Sequence, residues 1–212
     1  LGGIVEFFKH KQGPVHRHSA WYYTGGIALF LFIVQIITGV LLMVHYNPGQ
    51  SHASVQALMS QVDFGWLIRA THSWAANLMV LVVFIHMFSS FFMHSYKYPR
   101  EMPWITGFVL LALCMAFGFS GYLLPWDQLA YFATQSGVKS SEVMPIFGGF
   151  VADMLRGGKE LGPQTIERFY ALHVWALPLM FFGVLGLHVF FIQVQGLHEP
   201  PFFEKVPLAQ KR

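Results

Sequence analysis

The chain has 212 residues, of which 55% are hydrophobic and 11% are charged, whereas soluble globular domains average about 25% charged residues. Its formal net charge is +3, and it has no sizeable soluble domain that would support nucleic-acid binding. The sequence contains no P-loop for phosphate transfer and no nucleophile elbow for hydrolysis. The single cysteine, Cys114, excludes an internal disulfide framework, and no CxxC or CxxCH motif is present. The composition therefore predicts a membrane protein, and the length predicts a single domain over residues 1–212.

Four segments are long and apolar enough to cross a bilayer, which needs about 20 mostly apolar residues. The predicted spans cover about 21–46, 67–92, 104–124 and 169–194. No acidic residue lies well inside a span, and aromatic residues cluster at the span ends, as is typical of the membrane interface. The sequence thus predicts an all-α membrane protein, a bundle of four transmembrane helices.

The segment of about 125–168 after the third span is long for a loop and contains an apolar run at 143–155. Long loops are uncommon unless they carry structure or function, so short helices on the membrane surface are predicted there. A similar amphipathic helix is predicted over residues 1–11. The side that holds both termini carries eight basic and four acidic residues, against five and six on the other side. The positive-inside rule therefore predicts that both termini are cytoplasmic.

Eleven histidines are many for this length, and four lie at or within the spans. His72 and His86 in the second span are 14 residues apart, and His173 and His188 in the fourth are 15 apart. Four helical turns take about 14.4 residues, so each pair faces roughly one side of its helix, with about 21 Å between its members. Because these spans run in the same direction, we expect His72 level with His173 and His86 level with His188.

Two opposed pairs of histidines predict two haem irons, each with both axial positions filled. Iron without an open position suits electron transfer, and two haems stacked across the bilayer would connect its two surfaces. For a single intramembrane histidine, a packed ring hydrogen-bonded to a neighbouring helix is an equal alternative. Two matched pairs at four-turn spacing favour the interpretation of these histidines as haem ligands over that of packed rings.

The other two spans repeat the same interval in glycine. Gly25 and Gly39 in the first span are 14 residues apart, as are Gly107 and Gly121 in the third. Glycine lets a backbone approach closely, so these positions are predicted to make room for porphyrin edges. Ordinary packing of small residues between helices is the alternative.

Two arginines lie at the same surface as His72 and His173. Arg69 is three residues before His72, and Arg168 is five before His173. Arginine binds carboxylates well, so both are candidate partners of haem propionates, with snorkelling to the interface as the alternative.

Several stretches resemble a known family. GWLIRATHSW, GYLLPWDQ and LRGG…RFYALHVWALP resemble the N-terminal half of cytochrome b, over about residues 15–196. The 15-residue histidine interval and LPWDQ resemble the shorter subunit of the cytochrome b6f complex and its bacterial relatives. The resemblance implies two non-covalent b haems: bL on His72 and His173 at the positive (p) side, and bH on His86 and His188 at the negative (n) side.

The resemblance also implies a Q cycle. Quinol is oxidised in a p-side pocket, one electron passes to a Rieske iron–sulfur protein, and the other crosses both haems to an n-side quinone. The implied pocket lies at the end of the third span and in the next surface helix, and its residues are Phe119, Tyr122, Thr134, Gly137, Val138 and Pro145.

The implied partners follow from what the sequence lacks. The family's PEWY motif is absent, so we expect a separate subunit with the C-terminal cytochrome b helices, or a continuation of this chain, to supply it. The resemblance further implies a c-type cytochrome partner and a dimeric complex in the lipid of a bacterial inner membrane.

Three positions depart from the family's pattern. Tyr23 stands where the b6f-type subunit has a haem-attaching cysteine, so no covalent c-type haem is expected and a bacterial quinol–cytochrome c complex fits better than a chloroplast one. Ser89 and Gln193 stand where basic residues are common. The n-side propionates are therefore expected to use Arg17, Lys97 or Arg100.

Two other functions fit less well. A di-haem membrane anchor of a dehydrogenase or hydrogenase also has paired histidines, but it needs neither LPWDQ nor a long surface loop. A haem-free transporter or scaffold with a histidine proton relay should carry intramembrane acidic residues, and the spans have none.

Overall fold

The computed structural model describes residues 19–198. Within them the regular structure is helical and contains eight α-helices. These are α1 (Tyr23–His45), α2 (Ser51–Gln61), α3 (Gly65–Phe92), α4 (Glu101–Leu123), α5 (Gln128–Glu142), α6 (Gly148–Arg156), α7 (Pro163–Ala171) and α8 (Leu177–Gln195). The surface helix predicted over residues 1–11, and Arg17, lie outside the described residues.

Four helical stretches in the described part of the chain are long and apolar enough to cross a membrane: Ala20–His45, Gly65–Phe92, Glu101–Leu123 and Pro163–Gln195. Their outward faces expose large apolar side chains such as Phe30, Val44 and Leu179, which lipid would cover. The predicted four-helix membrane architecture is confirmed, and the chain is a multi-pass membrane protein.

The fourth span begins six residues earlier than predicted, at Pro163 rather than about 169. Proline suits the first turn of a helix because its missing N–H would have no partner there. The Thr165 hydroxyl accepts from the Gly162 N–H (3.1 Å) and donates to the Arg156 carbonyl (2.6 Å). The polar residues of the first two turns, among them Gln164, Glu167 and Arg168, hid this beginning from a prediction based on hydropathy.

A π-helical turn, Leu172–Ala176, joins α7 to α8 and contains His173. Pro178 lies two residues beyond this turn, and a proline inside a helix removes an N–H and displaces the carbonyl four residues earlier. A π-turn accommodates one extra residue. The 15-residue interval between His173 and His188 therefore has the geometry of the 14-residue interval between His72 and His86.

The spans pack in two pairs, α1 with α3 and α4 with α8. Where the pairs meet, a buried cluster contains Phe32, Met79, Leu110, Cys114 and Phe181, and the rings of Phe32 and Phe181 lie 4.2 Å apart. Met79 is seven residues, or about 10 Å, from both His72 and His86. The cluster therefore divides the bundle into two levels, one at each end.

The long segment after the third span forms α5 and α6, as the surface-helix prediction required. Asp127 begins α5 by accepting a hydrogen bond from the Ala130 N–H (2.8 Å), and Gly157 ends α6 with a left-handed φ of 79°. A further short helix, α2, lies between the first two spans and was not predicted.

Tyr46 ties these loops to the bundle. Its hydroxyl donates to the Leu124 carbonyl (2.7 Å), and its ring stacks on Tyr170 at 5.2 Å. The end of α1, the LPWDQ segment and the fourth span are thereby held together at one membrane surface.

Candidate functional site

Each of the four intramembrane histidines is hydrogen-bonded to a hydroxyl on the span that packs beside it. The distances from Nδ1 to Oγ1 or Oγ are 2.8 Å for His72–Thr38, 3.0 Å for His86–Thr24, 2.9 Å for His188–Thr106 and 2.9 Å for His173–Ser120. Among the described residues seven polar side chains are buried, and four of them are these hydroxyls. Hydrogen bonds between neighbouring helices therefore hold each histidine ring in place.

The direction of these bonds follows from the hydroxyls' other contacts. Thr38 donates its one hydrogen to the Val34 carbonyl (2.6 Å), and Ser120 donates to Ala116 (2.7 Å). Thr24 donates in the same way to the Trp21 carbonyl in the turn before α1, and Thr106 donates to the Met102 carbonyl. Since a carbonyl only accepts and a hydroxyl has one hydrogen, each hydroxyl must accept from Nδ1–H. The neutral rings then carry their free lone pair on Nε2, where a metal can bind.

The four predicted glycines lie against these same rings. A Cβ atom would come 3.0 Å from His86 at Gly25, 3.3 Å from His72 at Gly39, 3.2 Å from His188 at Gly107 and 2.7 Å from His173 at Gly121, in each case measured to Cε1. Real Cβ contacts are rarely so short, so a side chain at any of these positions would press on an imidazole. The glycines make room for the histidine rings, whereas their contact with porphyrin edges stays a prediction.

The histidines form two levels, as their spacing predicted. His86 and His188 line one cavity of about 380 Å³, together with Gly25 and Gly107. Phe32, Met79, Cys114 and Phe181 line its inner part, so the central cluster closes it toward the other level. His72 and His173 do not line this cavity. Each lies about four helical turns from the cavity-lining histidine of its own span, so the two lie at the opposite end of the bundle.

These features fit b-type haem. Each level offers two imidazoles with free Nε2 atoms, which matches the two axial positions of a haem iron. Within residues 19–198 no group of three or more His, Cys, Asp or Glu side chains could hold a bare metal ion. Paired histidines suit a metal that brings its own in-plane ligands, and the largely apolar cavity between His86 and His188 suits a flat apolar ring.

Arg100 lies at the rim of that cavity. Its guanidinium donates to the carbonyls of Gln195 (3.4 Å), Gly196 (3.2 Å) and Leu197 (3.4 Å) at the end of α8. Burial and the nearby Arg100 lower the pKa of His198, so Arg100 rather than His198 supplies positive charge there. Lys97 is exposed and does not line the cavity, and its predicted role with a propionate stays a prediction.

The other two arginines occupy different settings. Arg69 is half-buried and lies 3.8 Å from the Met59 sulfur. Arg168 is exposed, and its guanidinium donates to the carbonyls of Asp153 (3.4 Å) and Met154 at the end of α6. A propionate at Arg168 would share the guanidinium with α6. Both roles stay predictions.

The residues predicted for the quinol pocket fall into two groups. Phe119 lies against Gly137, where any Cβ would overlap the ring, and it packs edge-on to Phe169 at 5.7 Å. Thr134 and Val138 are buried on the same face of α5, whereas Tyr122 and Pro145 are exposed. The structure brings Phe119 and Gly137 into contact, and the pocket role of all six residues stays a prediction.

The hydroxyl residues are the functional side chains that the sequence analysis missed. Thr24, Thr38, Thr106 and Ser120 each directly precede one of the four glycines, and so they repeat the same 14-residue interval. A hydroxyl–glycine pair recurring at the histidine interval was the available signal.

Comparison with known proteins agrees with this geometry. The family described as Cytochrome b/b6/petB matches residues 10–196. The cytochrome bc complex cytochrome b subunit of Chlorobaculum thiosulfatiphilum is 48% identical over 212 residues, which cover 99% of this chain and 49% of that protein. Cytochrome b6 of Heliobacterium mobile is 40% identical over 202 residues, which cover 94% and 95% of the two chains.

A solved structure, "Hyperthermophilic respiratory Complex III", superposes with a TM-score of 0.80 at 30% identity, over 94% of this chain and 53% of that one. The chain thus spans about half the length of some relatives and nearly all of others. The family match covers most of the chain and implies b-type haem binding. The chain belongs to the cytochrome b/b6 family.

Proposed function

We propose that the chain is the di-haem electron-transfer subunit of a quinol:cytochrome c (or plastocyanin-type) oxidoreductase. The observation that carries this proposal is the arrangement of four histidines in two levels, each ring held by a hydroxyl through Nδ1 with Nε2 left free. The names of the relatives, a cytochrome bc complex subunit and cytochrome b6, support it.

In this proposal His72 and His173 hold haem bL, and His86 and His188 hold haem bH. Haem bound at each level would supply reversible one-electron chemistry, and two histidines of this chain would hold each haem. The chain's own part is to fix the ligand rings, to exclude water from the apolar interior and to set the distance between the levels. The central cluster of Phe32, Met79, Leu110, Cys114 and Phe181 keeps the two haem sites separate.

The electron path would run from a p-side quinol pocket to an n-side quinone, as in a Q cycle. Phe119 and Gly137 form the packed part of the proposed pocket, between α4 and α5. At the n side, Arg100 at the cavity rim would attract a haem propionate. The proposed setting is a bacterial inner membrane with both termini cytoplasmic.

The proposed partners are a subunit or chain segment carrying the C-terminal cytochrome b helices, a Rieske iron–sulfur protein and a c-type cytochrome. Purification of the tagged chain from its native membrane tests this. We expect these proteins to co-purify, and we expect added quinol to reduce the b haems and then the c-type cytochrome. Co-purification of a dehydrogenase or hydrogenase catalytic subunit instead would replace this function with that of a membrane anchor.

Substitution of Gly137 tests the quinol pocket. In the Gly137→Ala variant a Cβ overlaps Phe119, so the ring must move at the proposed pocket. We expect the rate of quinol oxidation to fall at least about tenfold, equivalent to about 1.4 kcal/mol on the barrier, with both haem spectra retained. Stopped-flow reduction by quinol under anaerobic conditions measures this rate.

Gly149→Ala is the matched control, because a Cβ at Gly149 meets no atom within 4 Å. Wild-type rates in both variants would remove Gly137 and Phe119 from the pocket.

A further inference from the structure

Four dipeptides in the first and third spans have the same arrangement, a hydroxyl residue followed by a glycine. They are Thr24–Gly25, Thr38–Gly39, Thr106–Gly107 and Ser120–Gly121. In each, the glycine leaves room for the Cε1 edge of a histidine, and the preceding hydroxyl meets Nδ1 of the same histidine. The ring of each histidine is therefore held along one edge by two consecutive residues of its neighbour.

The hydroxyls have an electronic consequence as well as a steric one. A hydrogen-bond acceptor at Nδ1–H makes the opposite nitrogen more electron-rich and fixes both tautomer and ring orientation, as outer partners of metal-bound histidines do. A more basic axial ligand favours the oxidised iron. Because the hydroxyl's own hydrogen is bound to a helix carbonyl at 2.6 to 2.8 Å, its accepting lone pair stays directed at the ring.

We propose that Thr24, Thr38, Thr106 and Ser120 are positioning residues that orient the four haem-ligating histidines and lower the reduction potentials of the haems through Nδ1–H···O hydrogen bonds. This rests on the proposed function, since it requires haem on the histidines. Each hydroxyl acts on one ligand, so Thr38 and Ser120 affect one haem, and Thr24 and Thr106 affect the other.

Thr38→Val and Thr38→Ser in the purified complex test the proposal. Valine keeps the branched shape but removes the acceptor, whereas serine keeps the acceptor, as Ser120 does in the native chain. We expect Thr38→Val to raise the midpoint potential of one b haem and to shift its low-spin electron paramagnetic resonance signal, with the other haem unchanged. Thr38→Ser should keep the wild-type midpoint potential and the wild-type resonance signal. Thr106→Val should shift the other haem instead.

Ser120→Ala and Ser120→Thr test the same haem as Thr38→Val and take its place if that variant does not assemble. Ser120→Ala should raise the potential of that haem, and Ser120→Thr should keep it. Retained haem with unchanged potentials and spectra in Thr38→Val or Ser120→Ala would overturn the proposal and leave the hydroxyls a packing role. Absence of haem from the wild-type complex would instead refute the proposed function itself, so the two failures are distinguishable.

Discussion

The His86→Ala variant should retain one b haem and lose the other. His86 and His188 line one cavity, whereas His72 and His173 lie about 21 Å away along their helices, beyond the central apolar cluster. Loss of one ligand should therefore release the haem of that level and leave the other haem bound. The pyridine haemochrome of the purified complex, with a redox titration, would show half the wild-type b haem and a single midpoint potential.

His188→Ala should give the same remaining haem as His86→Ala, and His72→Ala or His173→Ala should give the opposite one. His52→Ala is the control, because His52 is an exposed residue of α2 and its ring lies 3.0 Å from the side-chain amide of Gln56 on the same helix. Retention of both haem signals in the His86→Ala or His188→Ala variant would show that the assigned pairing is wrong.

The Gly121→Ala variant should lose affinity for the haem at the His72–His173 level. The added Cβ would lie 2.7 Å from Cε1 of His173, so the ring must move away from Ser120 and from its position as a ligand. Overpacking of this kind typically costs about 1–3 kcal/mol, and about 1.4 kcal/mol corresponds to a tenfold loss of affinity. Haem content after detergent purification, resolved by redox titration, measures the loss.

Gly118→Ala is a closely matched control for this prediction. Gly118 lies three residues earlier in the same helix, and a Cβ there meets no atom within 4 Å. Equal loss of haem in both variants would attribute the effect to the helix as a whole rather than to contact with His173.

Composition and spacing predicted the coarse architecture and the two levels of histidines, whereas the role of these histidines as haem ligands stays a prediction. Apolar length alone predicts four spans because the bilayer requires about 20 apolar residues of each. The 14-residue interval from His72 to His86 predicts a shared helix face because four turns of a regular helix take about as many residues. The interval from His173 to His188 is one residue longer, and only the structure shows the π-turn over Leu172–Ala176 that makes the two equivalent.

The 14-residue interval of the hydroxyls was visible in the sequence, but the histidine partner of each could not be assigned from it. A threonine or serine in an apolar helix commonly bonds the carbonyl of its own preceding turn, and Thr38 and Ser120 do so. Their second bond, to a histidine on another span, depends on which helices are neighbours. Packing of α1 on α3 and of α4 on α8 decides this, and hydropathy does not.

The roles predicted for the arginines depend on the same kind of information. Arg168 precedes His173 by five residues, but α6 ends beside it and its carbonyls accept the guanidinium. Arg100 is 14 residues from His86 and 88 from His188, and it lies at the rim of their cavity. The propionate roles of Arg168 and Arg100 therefore stay predictions, because position in the sequence does not show which groups the folded loops bring to each arginine.

The most direct test of the di-haem proposal is a haem count per chain on the purified complex, by pyridine haemochrome and acid–acetone extraction. We predict two extractable b haems for this chain and no haem bound to it covalently. A non-extractable haem on this chain would contradict the interpretation of Tyr23, and a well-folded preparation without any b haem would contradict the electron-transfer function.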